Sequence, residues 1–286
     1  MSAPVVRRDV VFDAPVGFRP LALDLYVPPT PTVLCLYLHG GGWRVGSRRA
    51  GPGTAAAWTS PSFFEYLTAR GVAVASVDYR LSGEAVFPAQ LADVRAAVTF
   101  LAAHRDEFGL PAALAVWGVS AGGHLAALLA LDPGLEELPM RAAVCWYSPT
   151  DLDALAGDIV DAGGSPDRSA TSREGMLVGG SLDDQPDVVG AASPVTAVVG
   201  PRVPPPFLFL HGAADVAVPP RQSARLAEAL TAAGGSATVE LVAGATHMFP
   251  ELDDDATRAV IDRSVRFLLD PPWPVTPVRA LDAVGG

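Results

Sequence analysis

Short apolar runs that alternate with helical segments constrain the fold of this 286-residue chain more than any other feature. Most of the runs from residue 33 onward are apolar nearly throughout, which is typical of strands buried on both faces. The alternation predicts an α/β fold with a mainly parallel sheet, helices on both faces and an antiparallel edge formed by the first two strands. The predicted strands are residues 5–12, 21–27, 33–38, 72–77, 112–117, 141–147, 207–210 and 238–242, and the predicted helices are 63–69, 91–103, 124–131, 224–233 and 256–269.

Residues 149–206 interrupt this alternation. They are rich in Gly, Asp, Ser and Pro and contain only short apolar pieces. A connection of that length is usually functional or disordered, and this one has too few apolar residues to form its own core. We therefore predict that residues 1–286 form one α/β domain, with a partly helical insertion at about 149–206 beside the site.

The composition excludes several classes of protein. Half of the residues are hydrophobic, so the chain can bury a core and is not a disordered protein. The net charge of −11 disfavours nucleic acid and anionic membranes as partners. All 20 basic residues are arginine, which excludes a Schiff-base lysine. No apolar run approaches the roughly 18 residues of a membrane span, and no signal peptide is visible at the start, so a cytoplasmic location is predicted.

One short motif stands where a predicted strand passes into a predicted helix. Its residues are Gly118-Val119-Ser120-Ala121-Gly122, which fit the pattern Gly-x-Ser-x-Gly. In this context the pattern is typical of a nucleophile elbow, a sharp turn that lifts the serine hydroxyl out of the sheet. Ser120 is therefore the predicted nucleophile. The alternative is a glycine-rich connector whose serine caps the helix.

A serine nucleophile needs a base, and in hydrolases with this elbow an acid and then a histidine follow the serine along the chain. Asp215 lies just past a predicted strand, where the sites of α/β folds gather. His247 is the one histidine that follows it. Chain order therefore predicts Asp215 as the acid and His247 as the base, with Asp151 as the main rival acid.

A second glycine-rich motif follows the third predicted strand. It reads His39-Gly40-Gly41-Gly42 and precedes Trp43. Three glycines allow backbone N–H groups to face a site without obstruction by Cβ atoms. The motif is similar to the oxyanion loop of esterases and lipases, which acts together with the amide after the nucleophile. We predict Gly41, Gly42 and Ala121 as oxyanion donors; the alternative is an ordinary glycine turn.

Other residues of chemical interest carry weaker signals. No pair of histidines has metal-ligand spacing with carboxylate support, so we predict no metal site. No glycine pattern has the spacing of a dinucleotide fingerprint, and we predict no cofactor. Cys35 and Cys145 lie within predicted strands and are expected to be inert core thiols. Trp43 and Phe249 flank the predicted loop and base, and we predict that they bind a small or medium hydrophobic substrate group.

Taken together, these segments resemble the α/β-hydrolase superfamily. The closest similarity is to feruloyl/acetyl-xylan esterase-like proteins, which are related to the hormone-sensitive-lipase-like esterases. The resemblance implies the same triad of Ser120, Asp215 and His247 and the same three oxyanion donors, and it assigns to Asp78 and Arg80 a structural role beside the oxyanion loop. The segments that carry it are residues 39–43, 78–84, 87–90, 117–125, 192–195 and 211–215, together with His247.

The predicted activity is hydrolysis of a carboxylic ester through an acyl-enzyme. Because relatives that act on cell-wall polymers are normally exported, we expect a small-molecule ester as the partner instead. Three alternatives remain open: an arylformamidase, a biosynthetic acyltransferase or lactone-forming enzyme with the same triad, and a non-catalytic ligand receptor. A homodimer through an exposed sheet edge or the final helix is also an expectation that the sequence leaves open.

Overall fold

A nine-stranded, mainly parallel sheet forms the centre of the protein. The computed structural model describes residues 4–135, 140–199 and 203–272, and the backbone of a last short strand at 279–281. The strand order across the sheet is β1-β2-β4-β3-β5-β6-β7-β8-β9, and β1 and β2 are the antiparallel strands. The strands are β1 (Val5–Asp13), β2 (Leu21–Val27), β3 (Val33–Leu38), β4 (Val72–Val77), β5 (Leu114–Val119), β6 (Met140–Trp146), β7 (Phe207–Gly212), β8 (Ala237–Val242) and β9 (Arg279–Leu281).

Helices cover both faces of the sheet, and side chains of alternate strand residues fill the two cores. In β3, Leu34, Leu36 and Leu38 join one hydrophobic cluster, whereas Cys35 and Tyr37 join the other. The arrangement confirms the predicted fold class. The helices are α1 (Phe63–Thr68), α2 (Ala89–Ala103), α3 (Arg105–Phe108), α4 (Ala121–Ala130), α5 (Leu155–Asp161), α6 (Arg173–Val178), α7 (Pro186–Ala191), α8 (Arg221–Ala232) and α9 (Asp254–Leu269).

The helix after the serine motif begins earlier than predicted. We expected it from residue 124, but α4 starts at Ala121, directly after Ser120. Gly122 and Gly123 lower helix propensity, yet both are needed for packing. A Cβ on Gly122 would lie 2.1 Å from the carbonyl oxygen of Leu38, and one on Gly123 would lie 1.7 Å from Ser148 Oγ. Tertiary contact therefore overrides local propensity at this helix start.

The insertion at 149–206 is partly helical, as expected, with α5, α6 and α7 each only six or seven residues long. Its buried apolar residues, such as Leu152, Leu177 and Val189, join the same hydrophobic cluster as one face of the sheet. Residues 200–202 of the insertion lie outside the described residues. Across the described part of the chain, no helix is both long enough and apolar enough to span a membrane.

Candidate active site

The serine motif forms a tight turn between β5 and α4. Ser120 has φ +52° and ψ −121°, a conformation that non-glycine residues rarely adopt. A Cβ on Gly118 would lie 2.1 Å from the carbonyl oxygen of Gly122. The two glycines of the motif are thus required by close backbone contacts, and the strained turn holds Ser120 at the carboxyl end of the strand.

Ser120, His247 and Asp215 form one chain of hydrogen-bonding contacts, although 127 and 32 residues of sequence separate them. Ser120 Oγ lies 3.0 Å from His247 Nε2. On the other side of the ring, His247 Nδ1 lies 2.7 Å from Asp215 Oδ2. This is the contact order of a nucleophile, a base and an orienting acid. The structure brings together all three residues that the sequence analysis selected as a triad.

The rival acid lies elsewhere. Asp151 accepts a hydrogen bond from the amide of Ala154 at 3.1 Å, and its other carboxylate oxygen lies 3.4 Å from Arg225 Nε. Its contacts are therefore with α5 and α8 rather than with His247. Of the two candidates, only Asp215 contacts the imidazole.

The surroundings of Asp215 keep its carboxylate charged. Burial alone would raise the pKa of this carboxyl group. Hydrogen bonds from His211 and His247 and from the Val218 amide lower the pKa by more than burial raises it, so the net pKa lies below its usual range. Asp215 Oδ1 accepts the amides of Ala217 and Val218, each at 2.9 Å. These bonds fix one carboxylate oxygen and direct the other towards His247.

Aromatic residues pack against the predicted base, His247, or against its aromatic neighbour. The ring of Tyr147 makes an edge contact with His247, with centroids 5.1 Å apart, and another with Phe249 at 4.8 Å. Tyr147 lies immediately after β6, with φ +38°, and is 1% exposed. Phe249 is 3% exposed and also packs on Trp146. The base therefore lies against a rigid apolar surface.

Residues 39–46, here called the glycine loop, lie beside the nucleophile. A Cβ on Gly40 would lie 3.4 Å from Ser120 Cβ. Gly41 has φ +119° and Gly42 has φ +59°, so the loop needs residues without a side chain at both positions. None of the amides of Gly41, Gly42 and Ala121 donates a hydrogen bond to another residue in the described part of the chain. These predicted donors are thus free to bind an external acceptor.

Ion pairs of Arg48 fix the chain just after the glycine loop. The amide of Arg48 donates to Asp78 Oδ1 at 2.9 Å, and its guanidinium pairs with Asp78 and, at 2.8 Å, with Asp24 in β2. Arg80 pairs with the buried Asp93 of α2 at 2.6 Å. Asp78 thus has the bracing contact that the resemblance implied, since Arg48 ties the chain after the loop to Asp78 and to Asp24 of β2. Arg80 is held by α2 instead, and its role beside the loop stays a prediction.

The middle of the glycine loop is held by a contact between Trp43 and His124 of α4. Trp43 Nε1 donates to His124 Nδ1 at 3.3 Å, and His124 Nε2 donates to the carbonyl oxygen of Ala192 at 2.5 Å. Burial lowers the pKa of His124 to about 4 despite its bond to Ala192. His124 is therefore neutral at pH 7, as its single acceptor nitrogen requires.

Trp43 and Phe249 lie deeper than the sequence analysis expected. Trp43 is 1% exposed and Phe249 is 3% exposed, because Trp43 packs on His124 and Phe249 packs on Tyr147. As placed, neither side chain offers a surface to a substrate, so both brace the site from within. A direct contact with substrate would require neighbouring residues to move.

Two contacts of the site were not expected. His211, near the end of β7, lies 3.5 Å from Asp215 Oδ2 and is fixed by Ser223 Oγ and the Val218 carbonyl oxygen, both at 2.7 Å. The four-residue spacing between His211 and Asp215 was the available signal. Arg173 packs its side chain against Gly42, and nothing in the local sequence indicates that contact.

Metal ligands are not grouped anywhere in the described residues: no cluster of three or more His, Cys, Asp or Glu side chains is placed to hold an ion. Cys35 and Cys145 are both free and buried, and burial raises the pKa of each thiol above its usual range.

Curated proteins are similar to this chain in sequence. The chain is 34% identical over 267 residues to esterase LipC of Mycobacterium tuberculosis, covering 88% of this chain and 62% of LipC. It is 28% identical over 264 residues to a probable isoprenylcysteine alpha-carbonyl methylesterase, ICMEL1, of Arabidopsis thaliana, covering 86% of this chain and 51% of that protein. The chain thus spans between half and about three-fifths of the length of these relatives.

A solved structure is also similar to this protein. The thermophilic esterase Est2 of Thermogutta terrifontis superimposes with a TM-score of 0.69 at 25% identity, covering 93% of this chain and 92% of that one. The predicted α/β-hydrolase fold is confirmed by this likeness. The sequence profile of the BD-FAE family matches residues 23–230, well over half of the chain. This protein is therefore a member of the BD-FAE family.

Proposed function

We propose that the protein is a serine hydrolase that cleaves a carboxylic ester through an acyl-enzyme on Ser120. One observation carries the proposal: the continuous contact from Ser120 through His247 to Asp215, with distances of 3.0 and 2.7 Å. A serine hydroxyl is a weak nucleophile unless a neighbouring base accepts its proton. The geometry provides such a base and a charged group that orients it.

In the first step, His247 Nε2 accepts the proton of Ser120 as its oxygen attacks the ester carbonyl. Asp215 accepts a hydrogen bond from His247 Nδ1 and stabilises the imidazolium that forms. The carbonyl π bond breaks, and the oxygen becomes negatively charged. His247 then gives its proton to the departing alcohol, which leaves the acyl group on Ser120.

The negative oxygen needs hydrogen-bond donors. We assign this role to the amides of Gly41, Gly42 and Ala121, because Ala121 follows Ser120, Gly41 and Gly42 follow Gly40, which packs beside Ser120, and none of the three amides has an acceptor among the described residues. Each such donor is worth about 10²–10³ in rate in a measured serine protease. In the second half of the reaction, water activated by His247 releases the acid by the same steps.

The relatives support an ester rather than an amide as substrate. LipC and the Thermogutta terrifontis protein are both described as esterases, and ICMEL1 is described as a probable methylesterase. A small or medium hydrophobic group on the ester remains our proposal for the rest of the substrate. The cytoplasmic location and the homodimer stay predictions from the sequence.

Hydrolysis of p-nitrophenyl esters from acetate to octanoate tests this function, with Ser120→Ala as the comparison. We expect turnover in the wild-type protein and its loss in the variant. The chain length with the highest kcat/KM then reports the size of the acyl site. Turnover that survives Ser120→Ala would show that another residue is the nucleophile.

A second substrate separates ester from amide chemistry. N-formylkynurenine is the substrate expected for the arylformamidase alternative. We expect it to be a poorer substrate than a simple aryl ester when kcat/KM values are compared. Preferred cleavage of the formyl amide, or transfer of the acyl group to an added alcohol in place of water, would overturn the proposed ester hydrolysis.

A further inference from the structure

A cavity of about 330 Å³ lies between the glycine loop and the insertion, and arginines enter its lining from both. We propose that this cavity binds an anionic group of the substrate, so that the ester carries a short aliphatic chain ending in a carboxylate. Arg44 of the glycine loop and Arg173 of α6 are the residues that would bind the carboxylate. This inference rests on the proposed ester hydrolysis, and it changes the hydrophobic substrate group expected from the sequence into an aliphatic chain with a charged end.

The cavity adjoins the reacting centre. A Cβ on Gly42 would lie 2.9 Å from Arg173 Cδ, so the side chain of Arg173 rests on the glycine loop itself. At the other end of the same glycines, Gly40 packs beside Ser120. Two residue steps span at most about 7.6 Å of backbone. The proposal requires that the substrate chain reach from an ester at Ser120 past these glycines to a charged group in the cavity.

Arg44 supplies an uncompensated positive charge. Its side chain is exposed, and among the described residues it forms no ion pair and no side-chain hydrogen bond. Its backbone is fixed, because the Arg44 amide donates to the carbonyl oxygen of Gly41 at 3.1 Å and the preceding Trp43 is locked by His124. A guanidinium held on a fixed turn is well suited to bind a carboxylate.

Arg173 is only loosely paired. The nearest carboxylate oxygen belongs to the adjacent Glu174 and lies 3.7 Å from Arg173 Nε, which is longer than a hydrogen bond. The side chain of Arg173 is 40% exposed. Its donors therefore remain available for a second carboxylate, which it would share with Arg44.

The remaining charges of the cavity are mostly committed elsewhere. Arg168 is paired with Asp183 at 2.7 Å and with Asp153 at 3.3 Å. Asp167 accepts the amide of Ser169 at 2.9 Å. Glu174 faces Arg173, as described above. Of the arginines that line the cavity, Arg44 is the one without a carboxylate partner among the described residues.

Part of the cavity lining is apolar. Ala156 and Ile159 of α5 are partly exposed there, next to the buried Leu152 and Leu155. Methylene groups lose contact with water against such a surface, at about 0.8 kcal/mol for each one buried. The combination of an apolar wall with two arginines favours an aliphatic chain with a terminal carboxylate over an alkyl chain or a free anion alone.

Matched pairs of esters test the proposal. Monomethyl adipate is compared with methyl hexanoate, and 4-acetoxybutyrate with butyl acetate, so that in each pair a methyl group replaces the carboxylate. The first pair carries the charge on the acyl side and the second on the alcohol side. We expect the anionic ester of at least one pair to have a kcat/KM about tenfold higher or more in the wild-type protein.

Substitutions then locate the site. Arg44→Gln and Arg173→Gln should each bring the ratio of the two kcat/KM values towards one, and Arg173→Lys should retain part of it. Arg105→Gln is the matched control, because Arg105 also lies 3.8 Å from an adjacent carboxylate but lines a different cavity. That control should keep the wild-type ratio.

Two results would overturn the proposal while leaving ester hydrolysis intact: equal or better turnover of the neutral ester in both pairs, or an anionic preference that both glutamine variants retain. If neither ester of any pair is hydrolysed and the p-nitrophenyl esters are not hydrolysed either, the proposed function fails, and binding still decides the subsite. Calorimetric titration of monomethyl adipate into the Ser120→Ala protein should then show binding that Arg44→Gln weakens; no binding would overturn the subsite as well.

Discussion

Two parts of the site are built by different means: the turns at the strand ends around Ser120, here called the floor, and the insertion at 149–206 beside them, here called the wall. The floor consists of turns at strand ends, where φ values such as +52° at Ser120 and +119° at Gly41 fix the backbone. The wall is formed largely by the insertion, whose helices are short and whose arginines contact the site only through tertiary packing. The proposed chemistry therefore depends on backbone geometry, whereas the proposed specificity depends on side chains that can change independently.

The largest effect should follow from breaking the floor at its acid. Asp215→Asn removes the charge that orients His247, and we expect kcat to fall by about 10³–10⁴, as for the equivalent change in a serine protease. Ester hydrolysis at saturating substrate measures this loss. Asp151→Asn is the control, because its carboxylate contacts Arg225 instead, and it should keep the wild-type kcat. A similar loss in both variants would contradict the assignment of Asp215.

A further effect is expected on the free energy of unfolding in acid. It comes from His124, which links Trp43 of the glycine loop to Ala192 of the insertion. The pKa of His124 is about 4 in the folded protein and about 6.5 in the unfolded protein. As the pH falls, His124 is therefore protonated in the unfolded state before it is protonated in the folded state. This contribution to stability is therefore complete above pH 6.5 and is lost as the pH falls towards 4. The loss amounts to at most about 3 kcal/mol.

Denaturant unfolding between pH 7 and pH 4 measures that loss, and NMR titration assigns it. We expect the His124 ring to stay neutral well below pH 6, and His124→Gln to flatten the pH dependence. His104→Gln should leave it unchanged, since His104 lies at a helix end on the carbonyl oxygen of Phe100. Protonation of His124 near pH 6.5 in the folded protein would contradict the interpretation.

A smaller effect is expected where the floor is tied to the sheet edge. Asp78→Asn removes one of the charged partners of Arg48, whose side chain is only 12% exposed. We expect the free energy of unfolding to fall by about 2 kcal/mol. Asp262→Asn breaks a half-exposed pair with Arg70 and should cost about 0–1 kcal/mol. Equal costs in the two variants would show that the loop anchor is not specially stabilising.

The smallest effect concerns Tyr147, behind the base. Its hydroxyl is buried and has no hydrogen-bond partner in the described part of the structure. Tyr147→Phe should therefore change the free energy of unfolding by less than about 1 kcal/mol, in the stabilising direction. Chemical denaturation of the two proteins compares them. A loss of 2 kcal/mol or more would show that the hydroxyl is bonded in solution.

Sequence reasoning succeeded where a function needs a local backbone pattern. Gly118 is required by a contact with Gly122 in its own turn, and Gly41 by a contact with Val45 in its own loop, so at these positions the local pattern itself carried the prediction. Chain order then left His247 as the one remaining base. The fold class followed from apolar runs, which record burial on both faces of a sheet.

Sequence reasoning failed where distant segments meet. The start of α4 was misplaced because Gly122 and Gly123 pack against Leu38 and Ser148, and no local pattern reports such a contact. Trp43 and Phe249 were expected at a substrate surface, but their burial depends on His124 and Tyr147. The short strand at 279–281 and the contact of Arg173 with Gly42 were also absent from the prediction.

Labelling with a fluorophosphonate tests the central claim most directly, because the reagent bonds to a serine only when its oxygen is activated. We predict one adduct per chain by intact mass, mapped to Ser120 in the peptide digest. The adduct should be absent in Ser120→Ala and form much more slowly in Asp215→Asn. An unlabelled wild-type protein, or an adduct that persists in Ser120→Ala, would contradict the account.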